Sequence, residues 1–320
     1  MLDVIALGEL LIDFAPVSQD AEGYPTLAAH PGGAPANFLA ALQRCGCTAA
    51  MIGKVGADAF GHLLLGTLRS AGIDVRGMIA DSSVFTTLAF VTLDETGNRS
   101  FSFARRPGAD TQLRPEEIPC DLIDEAKVFH FGTLSLTGEP ARSATQHAVA
   151  YAREKGKLIS FDPNLRKPLW DDLGEAKRQI LWGLAQADVV KISDEEIDFL
   201  WGLSPEKGAE KLLDEFGVSL AFVTLGPKGC YSATKKTSVR VPCPSGIRVV
   251  DTTGAGDIFG GSAMSRLLAL GKTPGTLTQD ELRAIVRFAC CAATLSTQKY
   301  GGISSVADME DVRSCMDRTY

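Results

Sequence analysis

At 320 residues the chain is long enough for one large α/β domain or for two smaller ones, and either can bury a substantial core. A hydrophobic content of 45% and a charged fraction of 22% are ordinary for a globular enzyme, and a net charge of −7 weighs against nucleic acid or an acidic membrane as partner. No apolar run approaches the roughly 18–20 residues that cross a bilayer, and Met1-Leu2-Asp3-Val4 lacks the basic stretch that opens a signal peptide.

Residues 4–8 are a short apolar run that reads as a buried strand, continuing into a segment that reaches Asp13. Residues 14–31 carry Pro16, Gly23, Pro25 and Pro31 and read as loops and edge strands. In Pro31-Gly32-Gly33-Ala34-Pro35-Ala36-Asn37, Pro35 suits the first turn of a helix, where no amide hydrogen is needed, and the helix is expected to stop near Gly46. Asn37 then sits in the first turn beside a glycine pair, either facing a ligand or satisfying local backbone groups. Residues 48–55 read as a strand and 59–71 as a helix capped by the Gly56-Ala57-Asp58 turn. Residues 85–93 and 99–103 read as a hairpin about Glu95-Thr96-Gly97-Asn98, followed by Arg105-Arg106-Pro107-Gly108-Ala109-Asp110.

From residue 128 the rhythm is strand, helix, strand, helix. Strands are expected at 128–131, 158–161, 188–192 and 220–225, with helices at 142–154 and 175–185. The second of those strands ends in Asp162-Pro163-Asn164-Leu165-Arg166. The third ends at Ser193-Asp194-Glu195-Glu196, where Ser193 and Glu196 have the spacing of a capping box. Gly226-Pro227-Lys228-Gly229 is a turn leading to a hairpin over 230–241. A β-branched pair, Val249-Val250, runs into Asp251-Thr252-Thr253-Gly254-Ala255-Gly256-Asp257 and an apolar helix reaching about Leu270; helices over 280–297 and 309–316 close the chain.

Alternating strands and helices with apolar strands imply an α/β fold, a mostly parallel sheet covered on both faces. Residues 14–31 and 84–106 break that rhythm and read as two insertions that meet as a small β lid. The expected division is therefore discontinuous: a core of 1–13, 32–83 and 107–320, and a lid of 14–31 and 84–106. Ligands collect at the carboxyl ends of such strands. Asp13, Asn164, Arg166, Ser193, Glu196, Gly226 and the Gly254–Asp257 loop are all expected just after strands.

The loop before the helix at 255 is the most informative stretch. Amides at a helix start have no intrahelical partner and the helix dipole adds positive character there, so the junction suits an anion. Asp257 does not help bind a phosphate. It reads either as a base that takes a proton from the attacking group, or as a first-turn carboxylate worth about 0.3–1 kcal/mol to the helix. Other phosphate motifs fail. Gly271-Lys272-Thr273 has Arg266 where a Walker loop needs glycine. The spacing Gly254-x-Gly256-x-x-x-Gly260 lacks the following strand of a dinucleotide site, and the catalytic-loop motifs of protein kinases are absent.

Gly32-Gly33-Ala34-Pro35-Ala36-Asn37 through Gly53-Lys54-Val55-Gly56-Ala57-Asp58-Ala59-Phe60-Gly61, and Asp251-Thr252-Thr253-Gly254-Ala255-Gly256-Asp257-Ile258-Phe259, resemble the two signatures of the PfkB, or ribokinase-like, carbohydrate kinases. The resemblance covers nearly the whole chain and implies a Rossmann-like core with a β lid, ATP and Mg2+ as cofactors, and transfer of the γ-phosphoryl group to a sugar hydroxyl. By the same resemblance Asp257 matches the catalytic base and Gly254, Ala255 and Gly256 the anion hole. Asp13, Gly32, Gly33, Asn37, Asn164 and Arg166 match sugar contacts. Lys191, Thr224, Gly226 and Gly229 match the nucleotide side. Ser193 and Glu196 match an Asn-x-x-Glu element that organises magnesium through water, with Ser in place of Asn. Asp251 and Thr253 match a monovalent-cation loop that serves K+ in some relatives, and a homodimer through the lid is a family habit.

Gly8-Glu9-Leu10-Leu11-Ile12-Asp13-Phe14 and the 161–166 segment are most similar to the fructokinase branch, which implies D-fructose going to fructose 6-phosphate. Arg105 and Arg166 together suit a substrate carboxylate, so 2-keto-3-deoxygluconate kinase stays open as the alternative. Another ribokinase-like sugar or nucleoside kinase, and a sensor without catalysis, stand further off. The eight cysteines show no CxxC spacing and only four histidines accompany them, so zinc is not expected; they read as free thiols of a cytoplasmic protein.

Overall fold

The computed structural model describes residues 1–93 and 99–320. In chain order, β1 (Leu2–Leu7), β2 (Leu11–Gln19) and β3 (Pro25–Gly32) precede α1 (Ala34–Arg44), β4 (Ala49–Gly56), α2 (Ala59–Ser70) and β5 (Asp74–Asp81). The pair β6 (Leu88–Leu93) and β7 (Arg99–Ala104) comes next; the turn expected at residues 95–98 lies outside the described residues. Then follow α3 (Cys120–Asp124), β8 (Ala126–Gly132), α4 (Ala141–Glu154), β9 (Leu158–Asp162), α5 (Leu173–Gln186), β10 (Val189–Ser193), α6 (Asp194–Trp201) and α7 (Pro205–Glu215). The chain ends with β11 (Leu220–Thr224), β12 (Cys230–Ala233), β13 (Ser238–Val241), α8 (Ala255–Leu270), α9 (Gln279–Ser296) and α10 (Met309–Thr319).

One sheet has nine strands in the order β13-β12-β11-β10-β9-β8-β1-β4-β5. All pairings from β11 to β5 are parallel, and β12 and β13 add an antiparallel hairpin at one edge. The period-two alternation of β1 shows why both faces are covered: Val4 and Ala6 enter one apolar core with α1, α8 and α9, while Ile5 and Leu7 enter the other with α4, α5 and α6. The chain leaves β1 for β4 on one side and returns to its other side as β8. The carboxyl end of β1 is therefore a topological switch point, where a crevice opens.

A second sheet, β3-β2-β6-β7, stands off this edge. It draws its strands from the two stretches that interrupt the αβ rhythm. β2 goes from buried at Leu11 to exposed at its far end, so only the root of this sheet belongs to the core. No described helix is long and apolar enough to cross a membrane.

Two expectations need correction, and the short α3 joins β5 and α7 as an addition to the expected elements. Asp13 does not follow a strand; it lies inside β2, opposite His30 and Ala89. Val249-Val250 is not a strand leading into the anion loop. Residues 242–254 are irregular, and Val250 and Asp251 instead donate their amides to the Thr297 carbonyl at the end of α9. β5 and α7 are elements beyond those expected. β5 is a half-buried edge strand whose polar residues mask its period, and α7 starts at Pro205 behind a Ser204 cap that the loop composition around it hides.

Candidate active site

The N-termini of α1 and α8 meet at the switch point, and their first turns carry the central pair. Asn37 Nδ2 donates to Asp257 Oδ2 at 2.9 Å, and both side chains are buried. Asn37 Oδ1 is buried without a hydrogen-bond partner and lies against Gly302, where a Cβ would meet it. Burial pushes the Asp257 carboxyl above its ordinary value; Lys191, the Asn37 amide and Arg166 pull the other way.

Glycine is required at both helix starts. Gly254 takes φ 75° as the N-cap of α8, and a Cβ there would stand 3.0 Å from Asn37 Nδ2 and from Gly302 Cα. Gly33 takes φ 124° before α1 and has no side chain to cap it. Glu9 at the end of β1 supplies the cap instead, its Oε1 accepting from the Ala34 amide at 2.7 Å. Glu9 is fully buried, and burial lifts its carboxyl to about 7. In the anion loop the Ala255 amide turns back to the Thr252 carbonyl at 3.2 Å, which leaves Gly256 and Asp257 as the following first-turn amides.

Around this pair the charges converge. Asp13 is raised to about 6 by burial, with Arg166 drawing it down and Asp251 and Asp257 adding to the rise. Asp251 accepts from the Thr253 amide at 2.8 Å and the Gly301 amide at 3.0 Å, pinning the anion loop to the 299–302 turn. Arg166 is exposed, and its charge is felt by both Asp13 and Asp257. Asn164, buried and at φ 44°, donates its amide to Asp162 Oδ1 at 3.2 Å.

The capping box read from the sequence is present. The Ser193 hydroxyl accepts from the Glu196 amide at 3.2 Å, and Glu196 Oε2 accepts from the Ser193 amide at 2.8 Å. Glu196 Oε1 accepts from the Leu165 amide at 2.7 Å, so the carboxylate joins the end of β10 to the 162–166 loop. Among the described residues no cluster of side chains forms a direct metal cage. Both oxygens of Glu196 already accept amides, which fits a metal held through water rather than by direct ligation.

Thr224 ends β11. Gly226 (φ 56°) and Gly229 (φ 99°) bracket a single 3₁₀ turn, with Gly229 pressed against Val241 and Pro242.

Two cations expected at the ligands are committed within the protein. Lys191 is half-buried, 2.9 Å from Asp162, and stands 3.0 Å from where a Cβ on Gly256 would be. Arg105 pairs with Asp110 at 2.7 Å, and its remaining donors go to Thr137 Oγ1 (2.9 Å) and the Leu134 carbonyl (2.8 Å). Asp162 and Glu9 are the site residues that the sequence reading leaves without a role. The signal for Asp162 was a lysine inside the otherwise apolar run Val189-Val190-Lys191-Ile192, which a buried strand tolerates only opposite an acid.

The model for the pfkB family of carbohydrate kinases matches residues 1–309. The probable fructokinase-4 of Arabidopsis thaliana is 42% identical, over 98% of this chain and 96% of its own length. Fructokinase from Xylella fastidiosa, solved with bound ATP, superposes at a TM-score of 0.90 with 29% identity, covering 99% of both chains. A double mutant of fructokinase from Vibrio cholerae O395, solved with fructose, ADP and a potassium ion, gives 0.86 with 31% identity over 98% of each chain.

Proposed function

This chain belongs to the pfkB family of carbohydrate kinases, and we propose that it transfers the γ-phosphoryl group of ATP to D-fructose, at the 6-hydroxyl. The observation that carries this reading is the Asn37–Asp257 contact, which sets a buried carboxylate in the first turn of the anion-binding helix. Asp257 takes the proton of the attacking hydroxyl, and Asn37 orients it. The amides of Gly256 and Asp257, at the end of the 254–256 loop and the start of α8, stabilise charge on the transferring phosphoryl group.

Asp13, Gly32, Gly33, Asn37, Asn164 and Arg166 hold the sugar. Lys191 acts from beneath the anion loop rather than on the nucleotide, which lies along Thr224, Gly226 and Gly229. Glu196 would hold Mg2+ through water beside Ser193, where the ion neutralises phosphate charge. The Asp251–Thr253 loop is assigned to K+, and exchange of K+ for Na+ is expected to lower turnover. The β2-β3-β6-β7 sheet serves as the lid that excludes water as a competing acceptor. Val17, Tyr24 and Leu27, exposed on that lid, are where a second copy would pair, which light scattering tests.

A neutral sugar fits better than a sugar acid. The Arg105 guanidinium is already neutralised by Asp110, leaving Arg166 alone to face a substrate carboxylate. The test is ADP release with ATP, Mg2+ and a panel of sugars and sugar acids. Fructose is expected to give the highest kcat/KM, and Asp257→Asn to lower turnover by roughly 10²–10⁴-fold while stability changes by no more than about 1 kcal/mol. No sugar-dependent ADP release would sink the kinase reading. A loss below tenfold in Asp257→Asn would remove Asp257 as the base.

A further inference from the structure

Across three neighbouring strands, the sheet face covered by α1 and α8 turns from apolar to polar over a few residues. Val128 on β8 and Val189 on β10 belong to the apolar core under those helices. Two residues further on, and so on the same face, stand His130 and Lys191, with Ser160 and Asp162 on β9 between them. These four side chains line a cavity of about 10 Å³. Its helix side is formed in part by Phe38, the residue after Asn37, and by Gly260, one turn beyond Asp257.

The polar groups on this cavity are only partly used by one another. His130 is buried, its ring stacked on Phe38 with centroids 3.7 Å apart, and its Nδ1 lies 3.0 Å from Ser160 Oγ. Nε2 is then the ring nitrogen left for another partner. Lys191 Nζ donates to the two Asp162 oxygens at 2.9 Å and 3.1 Å, which leaves an ammonium hydrogen over. Burial, with the Lys191 charge adding to it, pushes the His130 imidazole down to about 3, so the ring is neutral.

We propose that this cavity is a water site, and that His130 is a positioning residue which, through that water, holds the Lys191 ammonium in place beneath Asp257. The cavity has about the size of one water, and Lys191 Nζ, His130 Nε2 and the Asp162 carboxylate supply the polar partners that a buried water needs. A water both donates and accepts, so it meets Nε2 whichever ring nitrogen carries the proton. An ammonium hydrogen left unpaired there would be costly.

The consequence falls on Asp257. Its carboxyl feels Lys191 on β10, Asn37 on α1, Arg166 after β9 and Glu196 on α6, and it acts in turn on Asp13 of β2 and Asp162 of β9. Lys191 is the foremost of these in opposing burial, and His130, Asp162 and Glu196 are the other titratable groups around it. Whatever fixes the ammonium therefore fixes the field at Asp257. The inference rests on the reading of Asp257 as the base for its effect on turnover, but not for the presence of the water.

The first measurement is a crystal structure of the unsubstituted protein at a resolution that shows ordered waters. A water within hydrogen-bond distance of Lys191 Nζ and His130 Nε2 is expected; a dry cavity overturns the proposal. The second is the pH–rate profile with fructose for His130→Leu and His130→Gln. His130→Leu should lower kcat/KM roughly three- to tenfold on the acid limb, the worth of one hydrogen bond, move that limb to higher pH, and return to the parent on the plateau. His130→Gln keeps an amide for the water and should stay within about twofold of the parent throughout. An unmoved limb in His130→Leu, a loss of equal size at every pH, or equal losses in both variants would leave His130 only its packing against Phe38 and overturn the positioning role. If His130→Leu does not fold, Ser160→Ala, which frees Nδ1, should move the limb in the same direction by less, and an unmoved limb there overturns the role. A protein with no sugar-dependent ADP release would overturn the kinase reading, and the crystal structure would still decide the water.

Discussion

Lys191, half-buried, and Arg105, buried, are cations that each face a buried carboxylate, at 2.9 Å and 2.7 Å respectively. Their surroundings separate them. Burial disfavours the Lys191 charge, but Asp162, Glu196 and Asp257 together outweigh it and raise the ammonium above its ordinary value. Lys191 is thus the positive centre for three acids at the carboxyl edge of the main sheet. Arg105 lies one residue past β7 and is tied to Asp110, to Thr137 and to the Leu134 carbonyl, while Asp110 also accepts from Thr87. That pair fastens the last strand of the lid to the loop after β8. The first pair sets a field at Asp257, the proposed base, and the second ties the end of β7 to the main sheet. Similar chemistry at two depths of one crevice serves electrostatics in one place and mechanics in the other.

Removing Lys191 tests the first half of this contrast and carries the largest expected effect. Lys191→Met leaves Asp162 buried without its partner, which typically costs about 3–5 kcal/mol. Lys191 is also the foremost influence holding the Asp257 carboxyl down against burial. Without it the base ionises only at higher pH, so the acid limb of kcat/KM is expected to move to higher pH. Denaturant melts read the first effect and a pH–rate profile the second. An unmoved acid limb would make this pair mechanical too.

At the lid root the signature is different. Arg105→Ala and Asp110→Ala should each cost about 3 kcal/mol, with the double variant well short of their sum, because each single change strands the other charge. The acid limb should stay where it is. The ratio of fructose to sugar-acid turnover should also stay fixed, since Asp110 already neutralises the guanidinium; a selective loss of a sugar-acid activity in Arg105→Ala would return Arg105 to the substrate.

Glu9 lies beside the lid root and gives a smaller effect of opposite sign. Its carboxyl is raised from 4.5 to about 7, so its contribution to stability is full below pH 4.5 and is lost as the pH rises through about 7. Glu9→Gln keeps an acceptor for the Ala34 amide without the charge. It should flatten the stability profile over that window and leave the variant ahead by up to about 3 kcal/mol at pH 8. A variant whose profile still falls over that window would place the burden on other acids.

The contrast also marks what can be read from the chain. The alternation of apolar strands and helices, the glycine pair before Asn37 and the acid in the first turn of α8 are local patterns, and the residues they point to meet in space. The capping box of Ser193 and Glu196 was legible for the same reason. What spacing does not carry is which charge faces which. Lys191 and Arg105 each look like a ligand for an anion until the fold brings Asp162 and Asp110 against them. Asp162 is twenty-nine residues from Lys191 in sequence and next to it only because β9 and β10 pair. The strand assumed before the anion loop fails similarly: the amides of Val250 and Asp251 go to Thr297, a partner only α9 can supply.

Ser193 offers the smallest change and a control for both pairs, because it lies two residues from Lys191 on β10 without joining its ion pair. The hydroxyl caps α6 and also donates to Glu196 Oε2 at 3.0 Å. Asparagine caps helices as well as serine does, whereas alanine typically costs about 1 kcal/mol. Ser193→Asn should therefore keep stability within about 0.5 kcal/mol of the parent and leave the Mg2+ dependence of turnover unchanged, with Glu196 still held by the Leu165 amide. Ser193→Ala should lose the cap energy and loosen Glu196. Titrating turnover with Mg2+ in both variants separates the two roles. A shift confined to the alanine variant assigns residue 193 to positioning Glu196, while a shift in the asparagine variant would put the side chain itself in the water shell of the metal.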